Sequence, residues 1–299
     1  MSGTLEGIAA RVEAGERLGE RDAAALLASH DLVSIGMLAD EHRRRRHGRR
    51  VTFVRVAEIR AGEVPPADGP LPGAAREVRL TGQPAGVAAA VAAVRDASAF
   101  AGGIPLTGFS LADLVPLAAR DRISLTELAR QLRDAGLQAL AEVPVDLAGV
   151  EHAIDDARAG GLRVLRLIVP RVDAGARLDS LRRAEAIQRA VGGLRAFVPL
   201  AATVDPATPS TGYDDVKQVA LARLLVDNIE SIQVDWRAYG PKLAQVALTF
   251  GADDVDGVTA VDTRDSGTRR APAEEIHRNI RAASLDAIER DGLFTFVEA

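Results

Sequence analysis

Four carboxylates stand at or near the ends of hydrophobic runs where they could do acid/base chemistry: Glu58, Glu142, Asp235 and Asp254. A carboxylate in such a place acts as general acid or base once its surroundings tune its pKa. Around them lie side chains suited to gripping a ligand: Arg55, Thr81, Arg171, Trp236, Tyr239, Asp253 and Asp256. Trp236 and Tyr239 either line a pocket for an aromatic ligand or close the fold. Glu58 and Arg60 are read either as an acid/base pair or as an ion pair. Asp253, Asp254 and Asp256 form a carboxylate group whose oxygen donors would suit Mg²⁺ or Ca²⁺, but the spaced ligand loop such a site uses is missing. Loop polarity beside a pocket is the other account of them. Glu151, His152, Asp155 and Asp156 share one helix face, as metal ligands or as a solvated surface, and a surface role is expected of His277. No Ser-His-Asp arrangement, H-E-x-x-H or P-loop is legible, and Ser210 in "TPSTG" is a turn serine.

Composition removes whole classes of chemistry. The chain of 299 residues has no cysteine, so it has no disulfide framework, thiolate nucleophile or Cys-ligated metal centre. Its net charge is −5, against the basic face expected of a nucleic-acid protein. Arg43 to Arg50 is a basic run, either an anion patch or a helix end where cations meet the negative pole of the dipole. No apolar run is long enough for a membrane span. The first residues, "MSGTLEGIAARVEAGE", lack a signal-peptide pattern, so a cytoplasmic location is expected.

These residues need elements to hold them. The spacing predicts an N-terminal helical extension over 1–50, with Asp22 capping one helix and Gly48 ending another. Strands are then predicted at 51–58, 76–81, 104–107, 137–143, 162–169, 194–201 and 231–235, with an eighth at 257–261. Helices separate them. Ser124 and Glu127 form a capping box, and Pro241 suits a first helical turn whose N-terminus would favour an anion. The glycine pairs 102–103, 160–161 and 192–193 read as helix C-caps rather than phosphate cradles.

Runs such as "LRVLRLIV" resemble parallel strands buried on both faces. Repeated β/α units over residues 51–299 imply an α/β fold. We expect a TIM-type (β/α) barrel of six to eight parallel strands, complete or partly open. A doubly wound sheet is the alternative, weakened because no G-x-G-x-x-G follows the first strand. In a barrel the chemistry sits at the C-terminal ends of the strands, which is what selects the residues above, Pro170–Arg171 among them.

The segments "LAQVALTFGADDVDG", "DLVSIGMLADEHRRRRHGRRVTFV", "EVRLTG", "FVPLA", "STGYDDVKQVALARLLVDNI" and "EEIHRNIRAASLDAIERDGLF" follow one another as in a known family. The chain resembles the radical S-adenosylmethionine enzymes of the futalosine route to menaquinone. These are aminofutalosine synthase and, more distantly, cyclic dehypoxanthine futalosine synthase; related deazaflavin-forming enzymes share the pattern. The resemblance spans most of residues 23–294 and is strongest from 197 onward. It implies a C-x-x-x-C-x-x-C motif after the first strand, holding a [4Fe–4S] cluster that binds S-adenosylmethionine. Here that stretch reads "AEIRAGEVPPADGP". A glycine-rich stretch against the cofactor's methionine part is also implied after the fourth strand, and "LQALAEVPVD" keeps only Glu142 as a counterpart. A cluster needs soft anionic sulfur, so neither cluster nor S-adenosylmethionine is expected. Two functions follow as expectations. One is a cofactor-depleted barrel that binds a pathway intermediate or an intact homologous enzyme, as a homo- or hetero-oligomer. The other is a cluster-independent enzyme doing acid/base or lyase chemistry on a futalosine-type or carboxylated aromatic substrate.

Overall fold

Alternating β-branched and apolar runs become strands here because helices cover them on one side and neighbouring strands on the other. The computed structural model describes residues 5–63, 73–171, 176–202, 211–261 and 272–297. Its strands are β1 (Arg50–Arg60), β2 (Glu77–Thr81), β3 (Leu106–Ser110), β4 (Ala139–Pro144), the short β5 (Arg163–Val164), β6 (Arg166–Val169), β7 (Ala196–Ala201), β8 (Ser231–Asp235) and β9 (Asp254–Thr259). They pair in parallel in the order β1-β2-β3-β4-β6-β7-β8-β9, and β9 returns to β1. The barrel is therefore closed, with eight parallel strands.

Helices wrap it: α4 (Val87–Ala101), α5 (Leu111–Arg120), α6 (Leu125–Asp134), α7 (Val150–Ala159), α8 (Arg177–Val191), α9 (Gly212–Leu225), α10 (Trp236–Leu248) and α11 (Pro272–Ala282). No helix of the described residues is long and apolar enough to cross a membrane. Ser124 caps α6 by accepting from the Glu127 amide at 3.1 Å. Gly102 and Gly103 take positive φ at the end of α4, which only glycine does cheaply. The last strand, β10 (Asp286–Glu289), lies beside Arg50–Phe53 of β1. β2 pairs with β1 only from Val56 onward, so β10 fills the seam beneath β2.

The N-terminal extension is α1 (Leu5–Ala14), α2 (Glu20–Ala28) and α3 (Leu32–His47). Its Ile8, Leu26 and Ile35 belong to one continuous core with the barrel's Phe53 and Val219. Asp22 does not cap α2: Gly19 holds that place, and Asp22 reaches back from the first turn to accept from its amide at 3.0 Å. The arginine run acts as a staple. Arg43 is fully buried on Asp40 and the Gly48 carbonyl, Arg45 donates to the Val12 and Glu13 carbonyls, and Arg46 donates to the Asp227 carbonyl.

One boundary moved in a way that matters. The eighth strand begins at Asp254, not at 257, so Asp254 and Asp256 are strand residues rather than loop carboxylates. Two buried charges read as a loop by hydropathy, but arginines distant in sequence neutralise them. Similarly, β3 runs to Ser110 rather than ending at 107.

Burial and the nearby Arg223 and Arg46 push the His42 imidazole down to about 4. Burial also lowers His47 and His277. The His42 ring stays neutral in the fold down to about pH 4, whereas in the unfolded chain it takes up a proton below about pH 6.5. Stability should therefore fall as pH drops from about 6.5 toward about 4. Thermal unfolding followed between about pH 7 and 5 checks this, and a His42→Gln variant should show a flatter profile.

Candidate active site at the barrel mouth

Inside the barrel a column of charged side chains crosses between strands. At its base Arg290, which follows β10, points upward and is 2% exposed. Its guanidinium grips Asp254 of β9 at 2.7–3.0 Å and lies 4.0 Å from the Phe294 ring centroid. Gln233 of β8 links the tiers, donating to Asp254 at 3.2 Å and accepting from Arg166 of β6 at 3.3 Å. Above it, Asp256 receives Arg166 and a forked pair of bonds from Arg79 of β2 at 2.8 and 3.0 Å. Arg79 also donates to Glu77 at 2.7 Å, and Glu77 accepts from Thr107 of β3 at 2.5 Å. Burial alone would raise the Glu77 carboxyl, but Arg79 and Arg166, with Thr107, hold it below its usual value. Burial, with Arg79 alongside, pushes Arg166 down to about 10, so it remains a cation at neutral pH.

This upper tier is the floor of a cavity of about 250 Å³ that opens at the C-terminal ends of the strands. Arg79, Arg166, Gln233 and Asp256 form the base. Glu58, Glu142 and Asp235 stand on the walls, with Phe109, Ile168, Val198 and Tyr239 as apolar surface. Glu58 of β1 pairs with Arg237 of α10 rather than with Arg60. Asp235 caps α10, accepting from the Arg237 and Ala238 amides at 2.7 and 2.8 Å. That cap occupies the N-terminus at Trp236, not the one at Pro241 that was expected to favour an anion. Gly240 then breaks the helix, and Pro241 opens its second segment. The Tyr239 hydroxyl donates to the Ala201 carbonyl at 2.9 Å, and burial together with Asp215 and Asp235 raises its pKa. Tyr239 therefore stays protonated. Phe109 holds a left-handed φ of 57° at the end of β3, a strained conformation for a bulky residue. The Glu142 carboxylate makes no hydrogen bond or ion pair among the described residues.

Of the residues singled out from the sequence, Glu58, Thr81, Glu142, Asp235, Tyr239 and Asp256 meet at this cavity. Trp236 opens α10 and faces an adjoining hollow with Arg60 and Thr259. Asp254 lies beneath the floor with no exposure. Arg55 points away, onto Glu289. Asp253 sits outside the barrel, on Arg223 and the Ile232 amide. Arg171 is exposed just beyond β6. His152 is 85% exposed and 3.6 Å from Asp156, on a solvated face. His277 is half-buried, edge-on to Phe53.

Sequence reasoning passed over Glu77, Arg79, Arg166, Gln233 and Arg290. The signal was there: in "EVRLT" every second residue is polar within an otherwise apolar strand, and "SIQVD" places Gln233 and Asp235 the same way. Charges at period two inside a parallel strand mark a polar barrel interior.

A thiolate-held cluster does not fit these residues. The chain has no cysteine, and among the described residues no three His, Cys, Asp or Glu side chains are grouped to hold a metal ion. Segment 64–72, which takes in half of the stretch where the resemblance puts the cluster motif, lies outside the described residues.

Residues 202–298 match the sequence profile of the CofH/MqnC C-terminal region. The chain is 26% identical to aminodeoxyfutalosine synthase of Thermus thermophilus, covering 96% of this chain and 94% of that enzyme. It is 27% identical to the 5-amino-6-(D-ribitylamino)uracil–L-tyrosine 4-hydroxyphenyl transferase of Methanoculleus marisnigri, over 90% and 93%. Cyclic dehypoxanthine futalosine synthase of Streptomyces coelicolor matches at 26% over 59% of this chain and 49% of that enzyme. Among solved structures, methylornithine synthase superposes with a TM-score of 0.63 at 15% identity, over 94% and 97% of the two chains. The hydrogenase maturase HydG of Carboxydothermus hydrogenoformans gives 0.66 at 11%, over 97% and 80%. These superpositions support the barrel fold.

Two outcomes test this description. Anaerobic reconstitution with iron and sulfide should leave no stoichiometric cluster by metal and sulfide analysis. Arg290→Met should cost about 3–5 kcal/mol in denaturant unfolding, because it strands the buried Asp254 charge.

Proposed function

We propose that this chain, which resembles the futalosine-pathway radical S-adenosylmethionine family along its barrel but carries no cysteine, is a cofactor-depleted member that binds a pathway intermediate in its barrel mouth. The observation that carries the proposal is the open polar cavity. A barrel whose only task was to dock on a partner would have no need of a hollow mouth with convergent polar groups above a rigid base. The floor charges are fixed by partners on several strands, so the cavity is organised before any ligand arrives. Such preorganisation lowers the entropic cost of binding.

A second function is favoured by one feature. The Glu142 carboxylate is unbonded and faces the cavity near two guanidiniums, an arrangement suited to moving a proton on a bound substrate. That would make the chain a cluster-independent enzyme. Glu58 and Asp235 are already engaged by Arg237 and by the α10 amides, and Tyr239 keeps its proton, so they are weaker candidates for that role.

Isothermal titration with aminodeoxyfutalosine and cyclic dehypoxanthine futalosine should show binding to the purified protein, with mass spectrometry following the mixtures for conversion. Glu142→Gln should weaken binding about three- to thirtyfold, by loss of one polar contact. Conversion abolished by Glu142→Gln would favour the enzymatic function. Heat from neither compound overturns the proposal. Binding of 5-amino-6-(D-ribitylamino)uracil in their place would move the chain to the deazaflavin side of the family.

A further inference from the structure

The mouth cavity is not electrically even. Its base is self-neutralising, since two guanidiniums, Arg79 and Arg166, face two carboxylates, Glu77 and Asp256. On one wall Glu58 is matched by Arg237. The carboxylates of Glu142 and Asp235 form no ion pair among the described residues, and feel Arg79 and Arg166 of the base only through space. Asp235 has only the α10 amides, and Glu142 has no bonded partner among the described residues. Asp113 at the outer edge accepts only from the neutral Gln83 side chain, at 2.7 Å. Among the described residues the lining therefore carries more carboxylates, Glu58, Asp113, Glu142, Asp235 and Asp256, than guanidiniums, Arg79 and Arg166.

The carboxylates do not converge tightly enough to form a metal site among the described residues. They stand on separate strands around a cavity whose remaining wall is apolar: Phe109, Ile168 and Val198. Charges spread around apolar surface suit an organic cation of matching size better than a bare ion. A carboxylate or phosphate ligand would instead meet uncompensated negative charge where water is partly excluded, and there like-charge repulsion is strong.

We propose that the barrel mouth selects ligands carrying a protonated amine or amidinium, seated between Glu142 and Asp235 with an apolar body against Phe109 and Val198. This rests on the proposal that the cavity binds a small molecule and goes beyond it, by naming the charge of the group that enters whether or not the ligand is a futalosine compound.

Three probes share one ring and differ in their terminus: phenethylamine, 2-phenylethanol and 3-phenylpropionate. Titration at millimolar concentration should rank the amine first, at least about tenfold over the carboxylate, with the alcohol between. Glu142→Gln should reduce that preference to about threefold or less and leave the alcohol's affinity within about twofold. Added salt should weaken the amine more than the alcohol. Equal or tighter binding of the carboxylate, a preference untouched by Glu142→Gln, or no binding by any probe overturns the proposal. Amine binding without binding of the futalosine compounds would leave this inference standing and remove the pathway assignment. Futalosine binding with a carboxylate preference would do the reverse.

Discussion

Everything at the mouth rests on the buried salt-bridge column inside the barrel. Charges placed in a low-dielectric interior are tolerated only when each finds a partner and its remaining hydrogen-bonding capacity is met. Here Arg290, Asp254, Gln233, Arg166, Asp256, Arg79, Glu77 and Thr107 join in one continuous run through β10's exit, β9, β8, β6, β2 and β3. The run ties together strands that are remote in sequence. It also connects the C-terminal segment at the base to the cavity floor. The closed barrel and the organised floor are two consequences of the same constraint.

That constraint explains where the polar freedom lies. The floor guanidiniums cannot turn toward a ligand without releasing Asp256 or Glu77, and a buried carboxylate left alone is costly. The polar side chains less tightly held are those on the walls, where Glu142 and Asp235 border the cavity. The same logic separates Asp254 from Asp256. They are two residues apart on one strand and point inward alike, but only Asp256 stands high enough to border the cavity, while Asp254 is fixed to Arg290 below it.

Much of the barrel was legible because its signals are local. Strand runs such as 51–58 and 162–169 and caps such as Ser124 depend on neighbours a few residues away, and a count of six to eight strands follows from their repetition. Strand-end carboxylates were legible for a similar reason: barrel topology says which end carries the chemistry. What failed was anything whose meaning depends on a distant partner. Asp254 and Asp256 read as loop polarity because nothing in "GADDVDG" announces Arg290, Arg79 or Arg166. The arginine run at 43–50 read as a surface feature because its acceptors, the carbonyls of Val12 and Asp227, are visible only once α3 packs against α1 and α9. Asp22 was displaced as a cap by a glycine, whose backbone suffices where the side chain of the third helical residue can reach back.

The absence of cysteine and the character of the mouth bear on each other. An iron–sulfur cluster is anchored by anionic thiolates and takes part in chemistry through its metal, so a chain without cysteine keeps no foothold for it. The barrel nevertheless retains a hollow mouth above a floor held by an energetically demanding buried network. A scaffold freed from ligand binding gains nothing by keeping such a network, since well-packed apolar residues of similar volume are often as stable or more so. The polar column is thus better explained by what it holds in place than by the stability it contributes. What it holds in place is a charge-paired base beneath the wall carboxylates Glu142 and Asp235, at the ends of β4 and β8.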